Sequence, residues 1–156
     1  MSERRDVVTV ERVIAAPPDA IFDLLADPRR HRDIDGSGSV RDARGAPPER
    51  LQLGSRFGMS MKVGLPYSMV STVVEFEDNR LIAWQTRGPT PLGRYVAGRI
   101  WRYELEPVAG GTRVRESWDI SHESAFTRPM IRTMAGATRT NMSATLARID
   151  ELVSSP

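Results

Sequence analysis

The C-terminal stretch constrains the fold most. From about Pro129 to Val153 the chain reads as one long amphipathic helix, and it follows a middle that is almost entirely strand-like. Met130, Ile131, Met134, Ala135, Met142, Leu146, Ile149, Leu152 and Val153 recur at three- and four-residue spacings, which places them on one stripe. At 1.5 Å per residue such a helix runs roughly 35 Å, enough to cross a small domain. A single apolar stripe has to lie on an apolar surface, and the strand-rich middle supplies a sheet. The space left between helix and sheet then decides the function.

The rest of the chain supports that arrangement. Asp6 to Ala15 reads as a first strand, with Val8, Val10 and Arg12 on one face and Val7, Thr9 and Val13 on the other. Pro17-Pro18 stops it. Pro18-Asp19-Ala20 opens a short helix through Ile21, Phe22, Leu24 and Leu25, because proline is tolerated in a first turn. Asp27-Pro28 ends that helix and starts a second one from His31 to about Ile34, and Asp35-Gly36-Ser37-Gly38 forms a turn. Strands are then expected at 39–43, 56–63, 67–77, 81–86, 95–107 and 112–121. The loops between them include Gly45-Ala46-Pro47-Pro48, Gly64-Leu65-Pro66 and a long one over Gly88 to Gly93. No repeat, linker or low-complexity segment interrupts the 156 residues, so residues 1–156 are read as one domain with one core.

Composition excludes several chemistries. The chain has no cysteine, so disulfides, thiolate nucleophiles and Cys-based metal sites are ruled out. The formal charge is only +2 and the basic residues are scattered, which is no nucleic-acid footprint. No apolar run approaches the roughly 20 residues of a membrane span. With a polar start at Met1 to Arg5, a cytoplasmic protein without integral membrane association is expected. Only His31 and His122 are available for histidine chemistry. Asp119, Ser121 and His122 lie too close together at a strand end to form a triad, and there is no G-x-S-x-G elbow. No metal-ligand spacing and no dinucleotide fingerprint occurs, so neither metal nor cofactor is expected. Arg29, Arg30, His31 and Arg32 form a basic cluster on a short helix, read as a solvated face.

The last hairpin, around Ala109-Gly110-Gly111, can be placed in register from its charges. If Val108 opposes Arg113, Glu106 faces Arg115 and Arg102 faces Asp119 on one side. Leu105 then faces Glu116, Tyr103 faces Trp118 and Trp101 faces Ile120 on the other. Glu116 thereby points inward among Trp101, Tyr103, Leu105, Val114 and Trp118, with Arg99 on the same face near the open end.

The order of elements, with Val10-Glu11-Arg12-Val13-Ile14-Ala15-Ala16-Pro17-Pro18-Asp19-Ala20-Ile21-Phe22 at its start, resembles the SRPBCC superfamily. These are START-like, helix-grip proteins with polyketide cyclase-like and birch-pollen-allergen-like members. The phrase from Ile14 to Pro28, I-x-A-P-P-D-A-I-F-D-L-L-A-D-P, carries the resemblance most specifically. Trp101-Arg102-Tyr103-Glu104-Leu105 and Gly111-Thr112-Arg113-Val114 add support. The resemblance implies an α+β helix-grip fold: a curved antiparallel sheet of six to seven strands wrapped on the C-terminal helix, with two short helices after the first strand. It also implies a cavity for a lipid-, sterol- or polyketide-like molecule. It transfers no catalytic residue set.

Glu116 is the leading site candidate, because an inward carboxylate is costly unless paired or wet. It would hydrogen-bond a ligand or act as an acid/base, unless Tyr103 or Arg99 merely pairs with it. Trp84, Trp101, Trp118, Tyr103 and Phe57 are candidate cavity walls, although aromatics more often simply fill cores. The methionines Met59, Met61, Met69, Met130, Met134 and Met142 suit a pocket of adaptable shape. Ala135, Gly136 and Ala137 are small residues that would leave room beneath the helix. The ligand-binding set expected is therefore Glu116, Arg99, Trp101, Tyr103, Trp118, Trp84, Phe57, Met59, Met61, Met134 and Gly136. Binding of a hydrophobic or amphipathic small molecule is the first reading. A polyketide cyclase, aromatase or dehydratase using Glu116 is the second, and a regulatory protein-interaction module the third.

Overall fold

The computed structural model describes residues 6–36, 40–44, 49–63, 65–87 and 98–154, with side chains at 40–44, 61–63 and 65–68 left out of the description. Seven strands form one antiparallel sheet: β1 Val7–Ile14, β2 Val40–Arg44, β3 Arg56–Val63, β4 Leu65–Glu77, β5 Leu81–Arg87, β6 Arg99–Val108 and β7 Gly111–Asp119. The order across the sheet is β1-β7-β6-β5-β4-β3-β2, a meander whose first strand closes onto its last. The expected loops at Gly45 to Pro48 and Gly88 to Gly93, and Gly64, lie outside the described residues.

Between β1 and β2 the prolines act as expected. Pro18 sits in the first turn of α1 (Pro18–Leu25), which buries Ile21, Phe22, Leu24 and Leu25. The Asp27 side chain accepts from Arg29 N at 3.0 Å and starts a 3₁₀ turn, Pro28–Arg30. Helix α2 (His31–Ile34) follows and buries His31 and Ile34. The basic cluster is therefore not uniformly solvated, because His31 faces inward. Gly36 lies against the C-terminal helix; a Cβ there would come within 2.3 Å of Asn141 O.

The C-terminal segment is not one helix from 129 to 153. A short helix α3 (Arg128–Arg132) is followed by a break at Thr133-Met134, and then by α4 (Ala135–Ser154). The backbone tightens at the break, with Thr133 N donating to Met130 O and Met134 N to Ile131 O. The Thr133 hydroxyl also donates to Met130 O, at 2.5 Å, competing for the carbonyl a continuing helix would use. The twenty residues of α4 still run about 30 Å across the sheet. Met142, Leu146 and Ile149 are its buried apolar residues, joined by Thr138 and Thr145.

The β6–β7 hairpin has the expected parity in a register shifted by two residues. Val108 opposes Gly111, Glu106 opposes Arg113, Tyr103 opposes Glu116 and Trp101 opposes Trp118. Two causes are visible. The chain reverses tightly through Ala109-Gly110, and Gly111 (φ +152°) is pressed against β1, where a Cβ would stand 2.0 Å from Ile14 O. The charges also find other partners: Arg115 pairs with Glu11 of β1 at 2.7 Å, and Arg102 pairs with Glu75 of β4. A two-residue shift leaves every side chain on its face, so Glu116 remains inward.

The sheet wraps α4, and β4 carries a bulge between Val73 and Glu75 that favours curvature. Two apolar clusters fill the concave side. One joins Phe22, Leu25, Leu51, Phe57, Trp84, Tyr103, Leu146 and Ile149; the other joins Val8, Trp118, Ile120, Ile131 and Met142.

Candidate functional site

Between these clusters lies a cavity of about 270 Å³, bounded by the sheet, α2, the break after α3 and α4. Its sheet wall is built as cross-strand ladders. Val73, Trp84, Trp101 and Trp118 stand opposite one another across β4, β5, β6 and β7, and Ile82, Tyr103 and Glu116 form the next rung. Aromatic contacts fix the wall: Trp84 and Tyr103 centroids are 5.6 Å apart, Trp101 and Trp118 6.3 Å. A further rung places Ser71 opposite Thr86, their hydroxyls 2.9 Å apart, at the cavity surface.

Glu116 is 2% exposed, and the Tyr103 hydroxyl donates to its Oε1 in a very close contact. Its Oε2 is buried with no partner among the described residues. Burial is the main force on this carboxyl and pushes its pKa up to about 8; the Tyr103 hydrogen bond acts against that rise, and the charge of Asp35 adds to it. At neutral pH Glu116 is therefore mostly a neutral acid. Tyr103 is pushed well above its ordinary value by burial and by the neighbouring carboxylate, so it keeps its proton. Trp118 Nε1 is a second buried polar atom on this wall without a partner among the described residues. Arg99 lines the cavity, but its charge is committed to Glu123, at 3.2 Å. Of the two pairings that would have silenced Glu116, the one with Arg99 is absent, and the one with Tyr103 satisfies one oxygen only.

Of the expected site residues, Glu116, Arg99, Trp101, Tyr103, Trp118, Trp84, Phe57, Met59 and Met134 all border the cavity. Met61 lies in β3, with its side chain outside the described residues. Gly136 does not border it: this residue is exposed, and a Cβ there would meet nothing within 4 Å. Ala137 is exposed too. The break at Thr133-Met134 rotates the start of α4 away from the phase a continuous helix would have kept. Met130 consequently stands 66% exposed, and Met134, 46% exposed, reaches only the rim.

Sequence reasoning missed His31, Asp35, Thr138, Asn141 and Thr145, all on the cavity wall. Thr138, Met142, Thr145 and Ile149 fall on one helical face, so polar residues interrupting an apolar stripe were the available signal. His31 carried no such signal. It is held by a hydrogen bond from Nε2 to Leu25 O (2.8 Å) and by stacking on Trp84 at 4.9 Å. Burial lowers its pKa, keeping the ring neutral. Among the described residues no cluster of His, Asp and Glu is arranged to hold a metal, and no helix is long and apolar enough to cross a membrane.

A second hollow, about 330 Å³, lies on the convex face among Glu77, Arg80, Glu104, Glu106, Arg113 and Arg115. Two of its ion pairs, Arg80–Glu77 and Arg113–Glu106, join its own residues across exposed surface.

The fold and this chain's sequence both have relatives. The chain is 37% identical over 144 residues to the uncharacterised protein Rv0088 of Mycobacterium tuberculosis, covering 88% of this chain and 60% of that protein. It thus spans about 60% of the length of the curated relatives it matches. The crystal structure of protein CV1439 from Chromobacterium violaceum superposes with a TM-score of 0.72 at 13% identity, covering 97% of this chain and 99% of that one. The solution structure of the polyketide cyclase-like protein Cgl2372 from Corynebacterium glutamicum gives 0.63 at 22% identity, covering 95% and 91%. These likenesses carry the fold alone. A family model described as "Polyketide cyclase / dehydrase and lipid transport" matches residues 5–154, and the chain belongs to that family, within the helix-grip SRPBCC superfamily.

Proposed function

We propose that this domain binds a hydrophobic or amphipathic small molecule in the cavity between the sheet and α4. The observation that carries the reading is the cavity's composition. Its wall is mainly aromatic and thioether, and one buried carboxyl with an unpartnered oxygen sits in it. Apolar lining with a few placed polar groups is the common form of a small-molecule site. A solid core would gain nothing from burying Glu116, because an unsatisfied carboxyl oxygen opposes folding by about 1–3 kcal/mol. A ligand offering a partner removes that penalty. The volume limits the guest: a 150 Å³ apolar cavity accommodates benzene, so about 270 Å³ suits a compact one- or two-ring molecule or the head of a longer one. Among lipid-, sterol- and polyketide-like classes, this favours a polyketide-sized ring system over a whole sterol. Native mass spectrometry of protein purified from its own host tests the reading. A co-purified compound of defined mass supports it, and its loss on filling the cavity with Thr138→Phe locates it.

A second reading, a cyclase- or dehydratase-type enzyme, draws on one observation. A carboxyl with a pKa near 8, braced by Tyr103, is suited to proton transfer near neutral pH. In that reading Glu116 donates or accepts the proton, and Tyr103 or Arg99, both on the cavity wall, polarises a carbonyl. Turnover of a polyketide-like substrate that falls at least about a hundredfold in Glu116→Gln, with binding retained, would favour the enzyme.

A further inference from the structure

Two residues of the cavity wall each carry a buried polar atom with no partner among the described residues, Glu116 Oε2 and Trp118 Nε1. They belong to residues two apart on the inward face of β7, so both side chains stand on the same wall. Tyr103 donates to Glu116 Oε1, so the proton of the neutral carboxyl resides on Oε2. Both orphan atoms are then donors: an O–H and an indole N–H. Two donors on one strand face lack an acceptor among the described residues.

We infer that the ligand carries an uncharged acceptor oxygen, of the ketone, quinone or ester carbonyl type, which Glu116 Oε2–H and Trp118 Nε1–H bind on the β7 wall. The inference rests on the binding reading above and narrows its ligand class. An ammonium ligand would pair with an ionised Glu116 but leave the Trp118 N–H unpartnered, because it offers no lone pair. A carboxylate ligand would be opposed by the charge of Asp35, which already acts on Glu116.

Groups facing Glu116 from each packed element are few. Tyr103 comes from β6 and keeps its proton, His31 comes from α2 and is held neutral, and Asp35 follows α2. Arg99 on β6 is ion-paired, β1 places Val10 opposite Glu116, and α4 contributes the uncharged Thr138, Asn141 and Thr145 to the cavity wall.

The probes are 1-tetralone, its hydrocarbon tetralin and the cationic 1-aminotetralin, each titrated calorimetrically into the intact protein. Ionisation of Glu116 removes one donor, so 1-tetralone affinity should fall about tenfold between pH 7 and pH 9 while tetralin affinity stays level. Glu116→Gln, which keeps a donor, should bind 1-tetralone with no such pH dependence. The Trp118 indole proton should move downfield with 1-tetralone and not with tetralin, a readout that needs no variant. The inference is overturned, with binding intact, if tetralin binds while 1-tetralone shows neither the pH dependence nor the indole shift. It is also overturned if 1-aminotetralin binds more tightly than 1-tetralone at pH 7. If no probe binds even at millimolar concentration, the inference and the binding reading fall together.

Discussion

Replacing Glu116 by glutamine should change how the protein's stability depends on pH, and the size of the change follows from burial. The carboxyl titrates near 4.5 in an unfolded chain and near 8 in the folded one. Between those values the native state holds a proton that the unfolded state has lost. Stability therefore falls as pH rises through that window and levels off above the native value. A span of this size corresponds to about 5 kcal/mol in all, at about 1.4 kcal/mol per pH unit. Glutamine keeps the shape and can accept from Tyr103, but it has no proton to lose. Other titrating groups cancel when variant and parent are compared at one pH. From about pH 6 to about pH 9 the variant should gain about 3 kcal/mol on the parent. At 2–4 °C per kcal/mol for a chain of this size, the gap in Tm should widen by roughly 6–12 °C. Thermal melts of both proteins in matched buffers measure it. A gap that stays flat over this range would mean that Glu116 ionises at an ordinary pKa, and the neutral-acid description of the cavity would be wrong.

Four further substitutions test the packing and one ion pair. Gly111→Ala should cost at least about 2–3 kcal/mol in denaturant unfolding, because its Cβ would stand 2.0 Å from Ile14 O; Gly110→Ala, with open space around it, should lose only about 1 kcal/mol, the cost of its positive φ. Gly136→Ala should raise stability by up to about 1 kcal/mol and leave probe binding unchanged, since the residue is exposed on α4 and borders nothing. Asp6→Asn should lower Tm near neutral pH, where Asp6 is paired with Arg132 at 2.7 Å. The Asp6 carboxyl is held below 3.8 by that hydrogen bond, so its contribution is present above 3.8 and lost as pH falls through the native value; the gap to the parent should therefore close in acid.

The sheet and the inward face of β7 were legible because strand parity survives errors in pairing. Opposite-charge matching chose a register two residues away from the real one, since Arg115 and Arg102 had partners on β1 and β4 that a hairpin taken alone does not reveal. Glu116 and Trp118 kept their face all the same. The cavity's far wall was harder to read. The apolar stripe ran through Met130 and Met134, but a tight turn at Thr133-Met134 resets the helical phase, which left Gly136 outside and brought Thr138 and Thr145 in. His31 and Asp35 reach the site only because Pro28 and Gly36 fold α2 down against α4, a tertiary contact with no period to announce it.

Occupation of the space between the sheet and α4 by a compact apolar molecule can be followed by an NMR titration. Amide and indole resonances are followed as 1-tetralone is added to isotope-labelled protein. Saturable shifts should concentrate at Trp84, Tyr103, Glu116, Trp118, Thr138 and Met142, the buried cavity wall. Shifts confined to the exposed Phe126 and Met130, or no saturation at all, would contradict it.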